Sequence, residues 1–160
     1  MKYCARFSGV GCLGALLVLL PVLCMGQEPV SDAALQHAKE LLRSTPLIDG
    51  HNDLPWLMRE ETGGDVAAFH LERNNDFDTD IPRLREGLVG AQFWSVWIPG
   101  ETPAGETKRL QLEQIETAQK IIDTHPETFE LALTADDIER LFSEGKIASL
   151  IGMEGGYALN

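Results

Sequence analysis

Three apolar runs constrain the fold of this chain more than any other feature. Leu47-Ile48 leads directly into D-G-H-N-D, residues 89–98 (VGAQFWSVWI) stop at Pro99-Gly100, and residues 147–153 (IASLIGM) stop at Glu154-Gly155-Gly156. Dense apolar, β-branched and aromatic composition over such short lengths, closed by turn residues, reads as strands. Strands that are apolar along their length and separated by helical segments predict a parallel sheet covered on both faces, as in a barrel or an open α/β sheet. Polar residues gather at the C-terminal ends of the first and third strands, the edge where such folds build their sites.

The segments between the strands support this order. Residues 31–44 (SDAALQHAKELLRS) place Ala34, Leu35, Ala38, Leu41 and Leu42 at helical spacing, with Ser31 available as N-cap, which predicts a helix with one apolar face. Pro46 ends that pattern, and residues 47–51 are expected as a short buried strand. Residues 60–80, rich in Gly, Asn, Asp and Thr, read as a long polar connection with short helical pieces. A brief helix follows over 81–87, and the longest helix over 106–124. Thr134-Ala135-Asp136-Asp137 has the form of a capping box and opens a further helix that runs to Gly145. The expected order is strand, irregular and helical crossover, strand, helices, strand.

The N-terminus reads as an export signal. Lys2 and Arg6 form a positive start, residues 13–23 (LGALLVLLPVL) an apolar stretch, and Cys24-Met25-Gly26 a small-x-small ending, so residues 1–26 are expected to be removed after Gly26. The apolar stretch is short for a bilayer core, which takes roughly 20 residues to cross. All three cysteines, at positions 4, 12 and 24, lie within residues 1–26, so the 27–160 segment has no disulfide and must rely on its core or on metal. That segment keeps 11 of the 13 basic residues and all 25 acidic ones, a formal charge of −14, which argues against nucleic acid or an anionic membrane surface as partner. The product is expected to be exported: periplasmic, extracellular or membrane-associated.

His51 and Asp53 stand two apart at a strand end, where period-2 geometry sends both side chains to one side. An imidazole and a carboxylate converging there suit zinc or a similar divalent ion, although a bare His-x-Asp triplet arises often by chance and by default reads as a solvated loop. Glu154 follows an apolar strand and precedes two glycines; it is either a buried, paired or metal-bound carboxylate or a Glu on the solvent rim. His37, His70 and His125 read as surface or capping residues, and Trp56, Trp94 and Trp97 as core more than as a substrate platform.

Residues 45–56 (TPLIDGHNDLPW), 79–99 (TDIPRLREGLVGAQFWSVWIP) and 145–156 (GKIASLIGMEGG) closely resemble the membrane dipeptidase family, also called renal dipeptidase or peptidase family M19. The resemblance runs along nearly the whole 27–160 segment in the expected order; many members have His where this chain has Tyr157. It implies a (β/α)₈ barrel with two zinc ions at its mouth and the hydrolysis of dipeptides by a metal-activated water. His51 and Asp53 would hold the first zinc and Glu154 would bridge both. The family's two further histidine ligands and its substrate-gripping residues lie on later strands, and a homodimer is compatible with the resemblance.

A full barrel takes about 250 residues, so 27–160 is expected to be the N-terminal part of the barrel domain, truncated at about three of eight strands and inactive alone. Two other readings remain open at this point. The chain could act as a non-catalytic secreted binding module, or belong to a related amidohydrolase-like enzyme acting on another small amide or a β-lactam.

Overall fold

In the computed structural model, which describes residues 31–73 and 75–156, Ser31 opens the first helix by accepting the Ala34 N–H on its hydroxyl at 3.2 Å. Helix α1 (Asp32–Ser44) then runs to Thr45, and none of its residues is buried. Strand β1 (Leu47–Asn52) follows, and Asp53 begins helix α2 (Leu54–Thr62), with Pro55 in its first turn and Gly63 closing it in the left-handed region at φ 67°. That φ is open to glycine without the strain a side chain would add. The polar connection holds α3 (Val66–Phe69) and α4 (Ile81–Glu86); then come β2 (Val89–Ser95), α5 (Ala104–Thr124), β3 (Phe129–Leu131), α6 (Ala135–Ser143) and β4 (Ile147–Gly152). The expected export signal, residues 1–26, lies outside the described residues.

The strands form one parallel sheet in the order β1-β2-β4-β3. The chain passes beyond the place of β4 to lay down β3 and then returns. Right-handed crossovers keep their helices on one face while strands are added in one direction, and a reversal moves the next helix to the other face. The packing follows this rule. Ala118, Ile121 and Ile122 of α5 share the main core with Leu54 and Met58 of α2, Trp94, Phe129 and Ile147. Leu141 of α6 packs instead with Ala91, Ala148 and Ala132, and Ile138 lies against them.

Several expectations are corrected. Four strands are present among the described residues, not three: β3 is only three residues long and is held by Ile147 and its neighbours in β4, a pairing with no local signal. Helix α2 carries no clear start in the sequence, because the strand-end residues obscure one that Pro55 in the first turn supports. Strand β1 is not buried: Leu47 and Ile48 are 41% and 46% exposed, because β1 is the edge of the sheet and neither α1 nor another strand covers it. The predicted apolar face of α1 is likewise largely uncovered, with Leu35 and Leu41 about half exposed and only Leu42 partly buried, beside Leu88, Val89 and Phe142. The capping box at Thr134 forms as read, its hydroxyl accepting the Asp137 N–H while Asp137 accepts the Thr134 N–H. Among the described residues no helix is long and apolar enough to cross a membrane.

Two irregularities in the β1-β2 ladder position what lies at its end. Between the pairs Leu47↔Val89 and Ile48↔Ala91, β2 holds one extra residue, Gly90. Between Asp49↔Gln92 and Asn52↔Trp94, β1 holds one extra in return. Each is a one-residue register shift of the kind a β-bulge makes, and each switches the side to which later side chains point.

Candidate metal centre

Counted from Asp49, which pairs with Gln92, strict alternation would put His51 on the face of the sheet that α2 and α5 cover. The extra residue in β1 reverses this: Asn52 takes the Trp94 side, and His51 and Asp53 turn to the opposite one. There the C-terminal end of β4 delivers Glu154. His51 Nε2 lies 3.2 Å from Asp53 Oδ1 and 3.4 Å from Glu154 Oε2, and one ligand atom from each of the three falls within 4.8 Å of the others. A cleft of about 280 Å³ holds His51 and Glu154 together with Gly50, Phe93, Ser95, Gly152 and Met153.

The three side chains are half exposed, between 51% and 58%, so the carboxylates are not buried as one reading of Glu154 would have them. Glu154 stands on the rim and still reaches the imidazole. Asp49 Oδ1 accepts the His51 N–H at 3.1 Å, which fixes the backbone beneath the ring. A nitrogen and two carboxylates form a donor set suited to a divalent ion. Bonds of 2.0–2.1 Å in a tetrahedron separate neighbouring ligand atoms by about 3.3 Å, and the two separations at Nε2 match that spacing. The donor types and these two spacings fit a zinc-sized ion.

Residues not singled out from the sequence surround this cluster. Asn52 Oδ1 accepts the Leu54 N–H at 3.0 Å, and its amide donates to Thr79 Oγ1 at 3.1 Å and to Gln92 Oε1 at 3.4 Å. Gln92, fully buried, donates through Nε2 to the carbonyls of Asp49 and Phe93. Ser95, at the end of β2 and 2% exposed, has a hydroxyl with no hydrogen-bond partner among the described residues. The available signal for Gln92 was a lone carboxamide inside an apolar strand. Nothing local marked Asn52 as the partner of Gln92 or Thr79 as the partner of Asn52, since these contacts span 40 and 27 positions.

The other histidines stay apart from this cluster. His37 and His70 are exposed, the latter 3.2 Å from Glu72, and His125 caps the end of α5 against Phe129. Trp94 is core. Trp56 and Trp97 are half-buried and meet edge to face at 5.0 Å, with Trp56 lining a second hollow of about 590 Å³ next to His51.

The profile of the family described as membrane dipeptidase (peptidase family M19) matches residues 35–160. The chain belongs to this family. It is 42% identical over 125 residues to Dipeptidase 3 of Mus musculus, a match that covers 78% of this chain and 24% of that protein. Against Dipeptidase ataJ of Aspergillus terreus it is 40% identical over 129 residues, 76% of this chain and 32% of that protein. Among solved structures it resembles a metallo peptidase from Rhodobacter sphaeroides liganded with a phosphinate mimic of the dipeptide L-Ala-D-Ala, with a TM-score of 0.61 and 17% identity over 71% of this chain and 39% of that one. The chain thus spans about a quarter to a third of the length of these curated M19 relatives. Its parallel sheet and helices form an N-terminal part of the family's (β/α)₈ barrel; the curated relatives are dipeptidases, and two of the solved structures it resembles are described as metallo peptidases.

Proposed function

We propose that the complete protein is an exported zinc dipeptidase, and that this chain supplies His51 and Asp53 to a first ion and Glu154 as a carboxylate shared with a second. The observation that carries this reading is the convergence of Asp53 and Glu154 on one atom, His51 Nε2, at 3.2 and 3.4 Å. Two carboxylates directed at one imidazole nitrogen, at the C-terminal ends of parallel strands in an M19 chain, suit a divalent ion better than a solvated rim.

The chain's own groups have separable tasks. His51 must present a neutral Nε2, since the lone pair that would take the ion is the one a proton would occupy. Asp53 and Glu154 bring negative charge that offsets that of the ions, and their exposure leaves the substrate a route in. When bound, zinc supplies Lewis-acid polarisation of the peptide carbonyl and a water of lowered pKa. The later strands of the complete protein supply the remaining ligands and the groups that grip the dipeptide, so the 27–160 segment by itself is inactive.

The test is dipeptide hydrolysis by the complete, secreted protein before and after exhaustive chelation. Chelation should abolish turnover and zinc restore it. Full activity with no metal by elemental analysis refutes the mechanism. Mass spectrometry of the secreted product should find its N-terminus at Gln27, and a retained 1–26 segment refutes the export signal as read.

A further inference from the structure

We propose that Gln92 is a positioning residue for the metal centre: its carboxamide clamps the β1 bulge that turns His51 and Asp53 toward Glu154. The inference rests on the metal-binding reading above and adds to it residues that touch neither ion nor substrate.

The bulge is the decisive feature. Three residue steps in β1, from Asp49 to Asn52, are matched by only two in β2, from Gln92 to Trp94. Removing the extra residue would return His51 to the helix-covered face, because a one-residue slip reverses every side chain beyond it. Bulges leave ladder groups unpaired, and an unpaired carbonyl away from water needs a partner. Gln92 supplies a donor to the Asp49 carbonyl and also binds the side chain at the other end of the bulge. Its Nε2 donates to the Asp49 carbonyl at 3.4 Å, on the near side, and its Oε1 accepts from Asn52 Nδ2 at 3.4 Å, on the far side. Its second donor contact, to the Phe93 carbonyl at 3.2 Å, holds the carboxamide to its own strand.

Asn52 carries the restraint onward to the ligands. It stands between His51 and Asp53 but points the other way. Its Oδ1 takes the Leu54 N–H and so fixes the backbone turn at Asp53, while Thr79 Oγ1 holds its amide from the connection between α3 and α4. Gln92 is fully buried, so these bonds do not compete with bulk water. Outer partners of this kind fix ligand orientation, and their loss typically costs about 10- to 100-fold in metal affinity.

Gln92→Met in the complete protein keeps length and removes every hydrogen bond. Zinc is titrated against a competing chelator, and the cobalt(II)-loaded protein is read by its visible absorption. The expected result is a far-ultraviolet circular dichroism spectrum like the parent's, zinc binding weakened about 10- to 100-fold, and a shifted cobalt spectrum. Parental zinc affinity with a superimposable cobalt spectrum overturns the proposal. If Gln92→Met does not fold, Thr79→Val removes only the hydroxyl on Asn52. It should weaken zinc in the same direction and Thr79→Ser should restore it, whereas unchanged affinity in Thr79→Val overturns the clamp. His51→Ala separates the two levels of inference. If it retains parental zinc, the metal-binding reading itself fails; if it loses zinc while Gln92→Met does not, only the positioning role fails.

Discussion

Gly90→Ala tests the close contact at the start of the β1-β2 ladder. A Cβ at position 90 would stand 2.7 Å from Pro46 Cβ, 2.8 Å from Pro46 Cα and 3.0 Å from Phe142 Cδ2. Carbon atoms pack best at about 3.5–4.0 Å, so the neighbours must retreat by roughly 0.5–1 Å. Phe142 can turn, but Pro46 is ring-locked and one of its two contacts is backbone. Overpacking of this kind costs about 1–3 kcal/mol, and the immovable neighbour places this site in the upper part of that range. Alanine restricts the unfolded chain and returns roughly 0.5–1 kcal/mol, leaving a net loss of about 1–2 kcal/mol. The assay is urea unfolding of the complete protein, read as a lower midpoint at unchanged slope. Gly100→Ala, where a Cβ meets nothing within 4 Å, is the control and should stay within about 0.5 kcal/mol of the parent. A Gly90→Ala midpoint at or above the parent's would refute the close approach of Pro46 to β2.

Glu154→Gln in the complete protein should lower the occupancy of both zinc sites, whereas His51→Ala should chiefly empty one; elemental analysis of metal per chain distinguishes them, and two tightly held zincs in the Gln variant with normal turnover would make Glu154 a rim residue only. Burial pushes the Asp80 carboxyl up, but the Arg83 N–H and guanidinium and the Asn75 N–H outweigh it and hold it below its ordinary value of 3.8. Its contribution to stability is therefore full above about pH 4 and fades as pH falls through the lower native value, so Asp80→Asn should flatten the acid limb of a urea-midpoint against pH profile, and an unchanged limb would contradict the assignment. Thr134→Ala removes half of the α6 capping box and should cost about 1 kcal/mol in the same unfolding assay, with no change in metal content. The 27–160 segment produced alone should self-associate, since β1 is an open edge with Leu47 and Ile48 uncovered; a cooperatively melting monomer that hydrolyses dipeptides with added zinc would overturn its dependence on later strands.

The amino-acid sequence by itself determined what short-range chemistry decides. The N-cap at Ser31, the box at Thr134 and the β-branched and aromatic run in β2 depend on neighbours a few positions away. His51, Asp53 and Glu154 were legible as candidates because strand-end His, Asp and Glu carry recognisable chemistry. Tertiary structure decided how they meet. The convergence at Nε2 requires Glu154 to cross about a hundred positions of chain and β4 to lie next to β2, with β3 outside it. Period-2 spacing correctly put His51 and Asp53 on one side, but which side depends on a bulge whose clamp, Gln92, lies 40 positions beyond Asn52. Burial of β1 could not be read from its composition, because an apolar strand is buried only if another element lies against it. Leu47 and Ile48 are exposed for want of that neighbour, which is a property of the assembled sheet and not of the residues.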